Sequence, residues 1–280
     1  MADTFTEKDI EAFKPAEKIG LVATVNPDGL PHITLITSIM AAGPNQVTLG
    51  EFSKGKSKEH LQINPDMAFL VLTMDRKIWR GRAAWTHLKK EGPEYETYND
   101  IPMFRYNAYF GINTVHYLDL KETSGRKSLP LIRIILSTLL SRMIKGNFKN
   151  DKTGPVLKKY AEHDIFNNLS ALKFLSWIGE DGLPRLIPVV QCQAADSGRL
   201  IFFCFPYSKE LAAIPDGTPV AVFALTMVME NVLIRGKFVR EKKILGLSLA
   251  AVDIDWVYNS MPPCHGQIYP EAPLQPVTAF

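Results

Sequence analysis

The chain has 280 residues, 46% of them hydrophobic and 22% charged, which excludes a disordered polymer and fits two domains of ordinary size, each able to bury a core. A net charge of +3 is too small to point to nucleic acid as a partner. Cys192, Cys204 and Cys264 lack metal-ligand spacing, and an odd count fits a reducing compartment better than a disulfide framework, so with a polar, acidic start at Met1-Ala2-Asp3-Thr4 the expected location is cytoplasmic.

In chain order, residues 8–19 predict a helix ending near Gly20, and 20–25 an apolar strand. Asn26-Pro27-Asp28-Gly29 is a turn in which proline presets φ and glycine accepts positive φ, so Pro31 to Met40 is expected to return as the second strand of a hairpin. Strands are expected at 46–51, 67–73, 78–88 and 115–120. A short helix is expected over 56–63, stopped by Asn64-Pro65, and another from Glu91 to Tyr98. Residues 122–166 read as a helical linker. Within it, 129–144 is rich in Leu and Ile, but it is short for a bilayer crossing and carries Pro130, Arg133 and Arg142. Pro130, Arg133, Ser137, Thr138, Ser141, Arg142 and Lys145 fall on one helical face, which predicts an amphipathic helix packed by its other face on the protein or on a second subunit; peripheral membrane contact is the alternative. No integral membrane span is expected.

The remainder repeats the first part. Asp28-Gly29-Leu30-Pro31 returns as Asp181-Gly182-Leu183-Pro184, and Leu72-Thr73-Met74 as Leu225-Thr226-Met227, both at an offset of 153 (181 − 28). Ser57-Lys58-Glu59 returns as Ser208-Lys209-Glu210 at an offset of 151 (208 − 57). The chain therefore reads as two copies of one module, 1–121 and 167–260, followed by a Pro-rich tail at 261–280 without clear secondary structure. Short strands joined by hairpin signals predict a mainly β protein with some α. The expected architecture is two tandem six-stranded antiparallel barrels, each with a helix after its third strand that plugs or flanks one end.

The copies differ where chemistry is expected. In the first, Gly50-Glu51-Phe52-Ser53-Lys54-Gly55-Lys56-Ser57 runs from a strand end into a helix. Such a junction offers unpaired N–H groups and the positive end of a helix dipole. Lys56 adds a point charge and Ser57 a hydroxyl, together suited to a phosphate; the plainer alternative is a serine N-cap with solvated lysines. The second copy has Tyr207 in place of Lys56.

Lys56-Ser57-Lys58-Glu59-His60-Leu61, followed by Asn64-Pro65, resembles the signature of FMN-binding split-barrel flavoproteins, the pyridoxamine 5'-phosphate oxidase-like superfamily. Arg80-Gly81-Arg82-Ala83-Ala84-Trp85 and Gly92-Pro93-Glu94-Tyr95-Glu96 resemble its fifth strand and following helix. The resemblance covers residues 8–120 well and 168–260 more loosely. It implies FMN held non-covalently between two barrels, here fused in one chain. It also implies contacts from Thr34, Leu35, Ile36, Thr37 and Ser38 on the second strand, Phe52 and Ser53 after the third, and Lys56 and Ser57 at the phosphate. Asn231 and Trp256 of the second copy would complete the site.

The implied function is an FMN-dependent oxidoreductase of unknown substrate. The alternatives are an FMN carrier, electron-transfer protein or sensor, or a barrel of the same shape binding haem or a deazaflavin. The Arg-x-x-x-x-Lys and Arg-x-His elements of the vitamin-salvaging oxidases are missing, which argues against their substrate. No catalytic side chain is assigned. The six histidines have no metal-ligand spacing, so no metal is expected. Other partners are open: a small-molecule substrate or redox partner, and a homodimer supported by the 128–145 helix.

Overall fold

A computed structural model describes residues 2–52, 55–105, 111–150, 156–259, 264–273 and 275–276. Contacts divide the chain into two compact units. One holds Met1–Leu129 with Glu180–Leu186; the other holds Pro130–Gly179 and continues from Ile187.

In the first unit, α1 (Glu7–Phe13) is opened by a capping box in which Thr6 and Asp9 bind each other's backbone N–H. It is shorter than the expected 8–19 because Pro15 ends it, and β1 (Lys18–Val25) begins before Gly20. The strands β2 (Pro31–Leu35), β3 (Met40–Gly43), β4 (Gln46–Glu51), β5 (Asp66–Thr73), β6 (Lys77–Lys89), β7 (Thr114–Thr123) and the short β8 (Lys127–Ser128) follow, with α2 (Lys56–Ile63) after β4 and α3 (Pro93–Asp100) after β6. All ladders are antiparallel, in the order β2-β1-β5-β6-β7-β4-β3, with β8 added on β6.

The two edges of this order, β2 and β3, are consecutive in sequence. The expected single strand over 31–40 is broken at residues 36–39 so that its halves border opposite edges. The break is held by Ile36 N–H donating to the Gly20 carbonyl at 2.7 Å and Ile39 N–H to the Ile36 carbonyl at 3.2 Å. Counting the broken strand once and setting the two-residue β8 aside gives the six strands expected. The core is Val22, Val47, Leu49, Phe69, Val71, Trp79 and Leu118 with Phe5 and Phe13 of the N-terminal segment.

A second barrel, over residues 172–259, repeats the plan. Its strands are β9 (Leu172–Ile178), β10 (Pro184–Pro188), β11 (Gln193–Asp196), β12 (Arg199–Phe203), β13 (Pro219–Leu225), β14 (Asn231–Arg240) and β15 (Leu249–Asn259), ordered β10-β9-β13-β14-β15-β12-β11. The hydrogen bonds repeat as well. Val189 N–H donates to the Lys173 carbonyl at 2.7 Å and Cys192 N–H to the Val189 carbonyl at 2.8 Å, the same corner at the same offset. Gly29 and Gly182 share φ = 75°, the left-handed conformation their turns require. Gly81 and Gly236 share a close approach: a Cβ would lie 2.3 Å from the Glu122 carbonyl oxygen in one and 2.1 Å from that of Asp253 in the other.

Two expectations are corrected here. The tail has secondary structure: β16 (Cys264–Tyr269) pairs with β15, and β17 (Gln275–Pro276) with β16. The linker helix, α4 (Leu131–Ile144), is turned about its axis relative to expectation. It buries Ile134, Ser137 and Ser141 and leaves Ile132, Ile135, Leu136, Leu139 and Met143 exposed. Hydrogen bonding explains the inversion. Ser137 Oγ donates to the Phe203 carbonyl at 3.2 Å, and Phe203 N–H donates to Ser141 Oγ at 3.3 Å, so two serines satisfy the backbone at the end of β12. No helix among the described residues is long and apolar enough to cross a membrane.

Candidate functional site

The junction between β4 and α2 is positioned from three sides. Ser38 Oγ, in the broken-strand corner, donates to the Gly50 carbonyl at 2.8 Å and ties that corner to the end of β4. The second barrel makes the equivalent bond from Gln191 Nε2 to the Phe203 carbonyl at 3.2 Å. The inward face of α2 is polar and buried: Ser57, Lys58 and His60 with Leu61. His60 Nδ1 lies 3.0 Å from Thr24 Oγ1 on β1, and its ring packs edge-on against His32 of β2.

Lys58 belongs to a chain of buried polar groups that composition and spacing did not reveal. Its Nζ is 3.5 Å from Glu51 Oε2, which lies 3.0 Å from His116 Nε2 on β7. Trp85 Nε1 donates to His116 Nδ1 at 3.1 Å. An indole can only donate, so His116 carries its proton on Nε2 and donates it to Glu51. Burial pushes the Glu51 carboxyl up, but the His116 hydrogen bond and the Lys58 charge outweigh it and hold it below the usual carboxylate value. Burial also pushes Lys58 below the ordinary lysine value against the pull of Glu51. Lys58 is thus committed to fixing α2 on the end of its own strand. Trp85 helps hold this chain in place.

What remains at the helix start faces outward or is uncommitted. Gly55, not Ser57, is the N-cap, and no side chain caps the helix. Lys56 is exposed and pairs with Glu59 across one turn at 2.9 Å. Ser57 is 1% exposed, and its Oγ has no hydrogen-bond partner among the described residues. An orphaned buried hydroxyl costs about 1–3 kcal/mol unless something bonds to it. An uncapped helix start, a buried unpaired hydroxyl and an exposed ammonium fit an anionic oxygen ligand such as the phosphate of FMN.

The other expected residues distribute as follows. Thr34, Leu35 and Thr37 are half-buried, whereas Ile36 and Ser38 are buried at the corner. Phe52 is partly exposed beside the junction, and Ser53 lies outside the described residues. Arg82 is engaged by Glu122 at 2.6 Å, and Trp79 is core, donating to Asp9 at 2.7 Å. In the second unit, Asn231 opens β14 and donates to the Met229 carbonyl at 3.2 Å. Trp256 is half-buried: the Arg235 guanidinium sits 3.8 Å from its ring centre, Tyr258 stacks at 5.2 Å, and its indole N–H donates to Gln267 at 2.7 Å. The sequence reading missed Arg235, although the two Arg-Gly pairs, 80–81 and 235–236, could have flagged it.

No family model and no curated protein matches the chain. Solved structures of similar fold include an FMN-binding protein from Syntrophomonas wolfei, at 16% identity and TM-score 0.36, over 44% of this chain and 86% of that one. A protein from Lactobacillus delbrueckii described as a pyridoxamine 5'-phosphate oxidase candidate matches at 19% and TM-score 0.34, over 44% and 94%. HupZ of group A Streptococcus matches at 16% and TM-score 0.35, over 42% and 91%.

Proposed function

We propose that the protein is an FMN-binding flavoprotein that works as an FMN-dependent oxidoreductase. The observation that carries this reading is the partnerless Ser57 hydroxyl, buried at the uncapped start of α2 beside Lys56. Residues 1–121 form the phosphate-gripping copy and 167–260 the divergent copy, joined by 122–166. Lys56 binds the phosphate by charge, exchanging Glu59 for it, while Ser57 and the free N–H groups of the first helical turn supply directed hydrogen bonds. Phe52 and the 34–38 segment border the same junction and shield bound ligand from water. Bound flavin would supply reversible two-electron chemistry, and the protein sets its exposure and polarity.

Three outcomes test the reading. Protein purified from cells should show a flavin spectrum and release FMN on denaturation, at one per chain. Lys56→Ala should weaken FMN binding by about 1.5–3 kcal/mol, the range for a charge-assisted hydrogen bond. Tyr207→Ala should change it far less. Two FMN per chain, or unchanged affinity in Lys56→Ala, would overturn the model. Turnover of a nicotinamide donor with an acceptor separates an oxidoreductase from a carrier.

A further inference from the structure

The outward face of α4 carries Ile132 (84% exposed), Ile135 (58%), Leu136 (51%), Leu139 (52%) and Met143 (80%). At 100° per residue these five fall within a sector of about 100°, and the exposed Arg133 and Arg142 fall on its two flanks. The opposite side is fixed: Ser137 and Ser141 are fully buried and bonded to the backbone of Phe203, so the helix cannot roll to hide its apolar stripe without breaking both bonds. Large apolar side chains held outward by buried polar bonds mark a surface that something else covers.

Charge decides what that is. Residues 130–150 contain four cations, Arg133, Arg142, Lys145 and Lys149, and no carboxylate. A second copy seated helix on helix would bring these like charges together, with no acid in the segment to answer them. A surface of anionic headgroups answers the exposed Arg133 and Arg142 that flank the stripe. Fourteen residues make a helix of about 21 Å, short of the roughly 30 Å hydrocarbon core, so it can lie in the headgroup region but not span.

We propose that α4 is an interfacial anchor that seats this protein reversibly on anionic lipid membranes, with the Ile132–Met143 stripe entering the acyl boundary and Arg133 and Arg142 meeting the headgroups.

The test is flotation of the full chain with vesicles of phosphatidylcholine containing phosphatidylserine, beside phosphatidylcholine alone, with sedimentation run in parallel. The expected result is binding to the anionic vesicles that weakens about tenfold or more without phosphatidylserine and falls with added salt. Two double variants, Ile135→Ser with Leu139→Ser and Arg133→Glu with Arg142→Glu, should each lose binding while keeping the wild-type melting curve, because all four side chains are exposed. Absence of binding to anionic vesicles would overturn the proposal, as would undiminished binding by both variants. So would a dimer that the Ile135→Ser, Leu139→Ser variant dissociates, since a second copy would then cover the stripe.

Discussion

After its fourth strand the first barrel keeps a buried hydroxyl without a partner among the described residues, whereas the second barrel places a core tyrosine there. In the first, four residues separate β4 from α2, the N-cap is a glycine, and a buried serine hydroxyl is left without a partner. In the second, β12 passes through a short 3-10 turn, Phe205–Tyr207, into α5 (Ser208–Ala212), and Tyr207 is buried in the core cluster of that barrel. The serines of α4 then take the last backbone groups of β12. One topology thus supports an open polar junction and a closed apolar one. The strand-to-helix connection has four residues in both barrels, so the difference turns on what fills it, with Tyr207 in place of Lys56, and not on its length or on the strands. A duplicated module can change the chemistry of one junction without losing its fold, because the strand ladders are the same in both copies.

A second contrast lies at the corner of the broken strand. Gly20 sits where a Cβ would lie 2.3 Å from the Ile36 carbonyl oxygen and 2.4 Å from Ile39. The equivalent positions of the second barrel are Lys173 and Cys192. There Lys173 is fully buried and donates to the Asn168 carbonyl at 2.6 Å. Burial lowers the Lys173 ammonium to about 8 and raises the Cys192 thiol to about 12.

The strongest test of the open junction is Glu51→Ala. It leaves Lys58 buried without its counter-charge and should destabilise the protein by about 3–5 kcal/mol in denaturant unfolding. A small loss would mean that α2 is not held by this pair. The same carboxylate gives a pH signature: its folded pKa is depressed, so its contribution is present above the unfolded value and is lost as pH falls through the folded one.

Lys173 gives the opposite signature. Its folded pKa of about 8 lies below the unfolded value of 10.5, so the unfolded chain holds one proton more between them. Stability should therefore rise with pH across that window, by up to about 3 kcal/mol. Lys173→Met should flatten the rise, as read by chemical unfolding at several pH values.

Ser141→Ala removes the acceptor of the buried Phe203 N–H and should cost about 1–3 kcal/mol in the same assay. The smallest expected effect is the most diagnostic. Ser57→Ala removes a hydroxyl that bonds to nothing among the described residues, so stability should stay within about 0.5 kcal/mol or rise, while FMN affinity falls. A clear loss of stability would show that the hydroxyl serves the fold.

Local chemistry was legible in the sequence. The Pro-Asp-Gly turn, the Asn64-Pro65 stop and the alternation of apolar residues located nearly every strand of both copies, and the common register of the short repeats gave the duplication, because turn geometry and strand periodicity are short-range constraints. What depended on distant partners was not legible. The 31–40 strand looked continuous because nothing within it announces that residue 36 must bond to Gly20. The Glu51–His116–Trp85 network joins β4, β6 and β7, which only the ladder brings together. The face that α4 buries could not be deduced from its own pattern. Periodicity alone places leucine inward and serine outward, and the fold reversed this because unpaired backbone at the end of β12 needed two hydroxyls more than the core needed two more apolar side chains. Sequence determined the elements and their repetition. Tertiary structure decided which polar groups were satisfied within the fold, which hydroxyl, that of Ser57, had no partner among the described residues, and which apolar face of α4 was left outward.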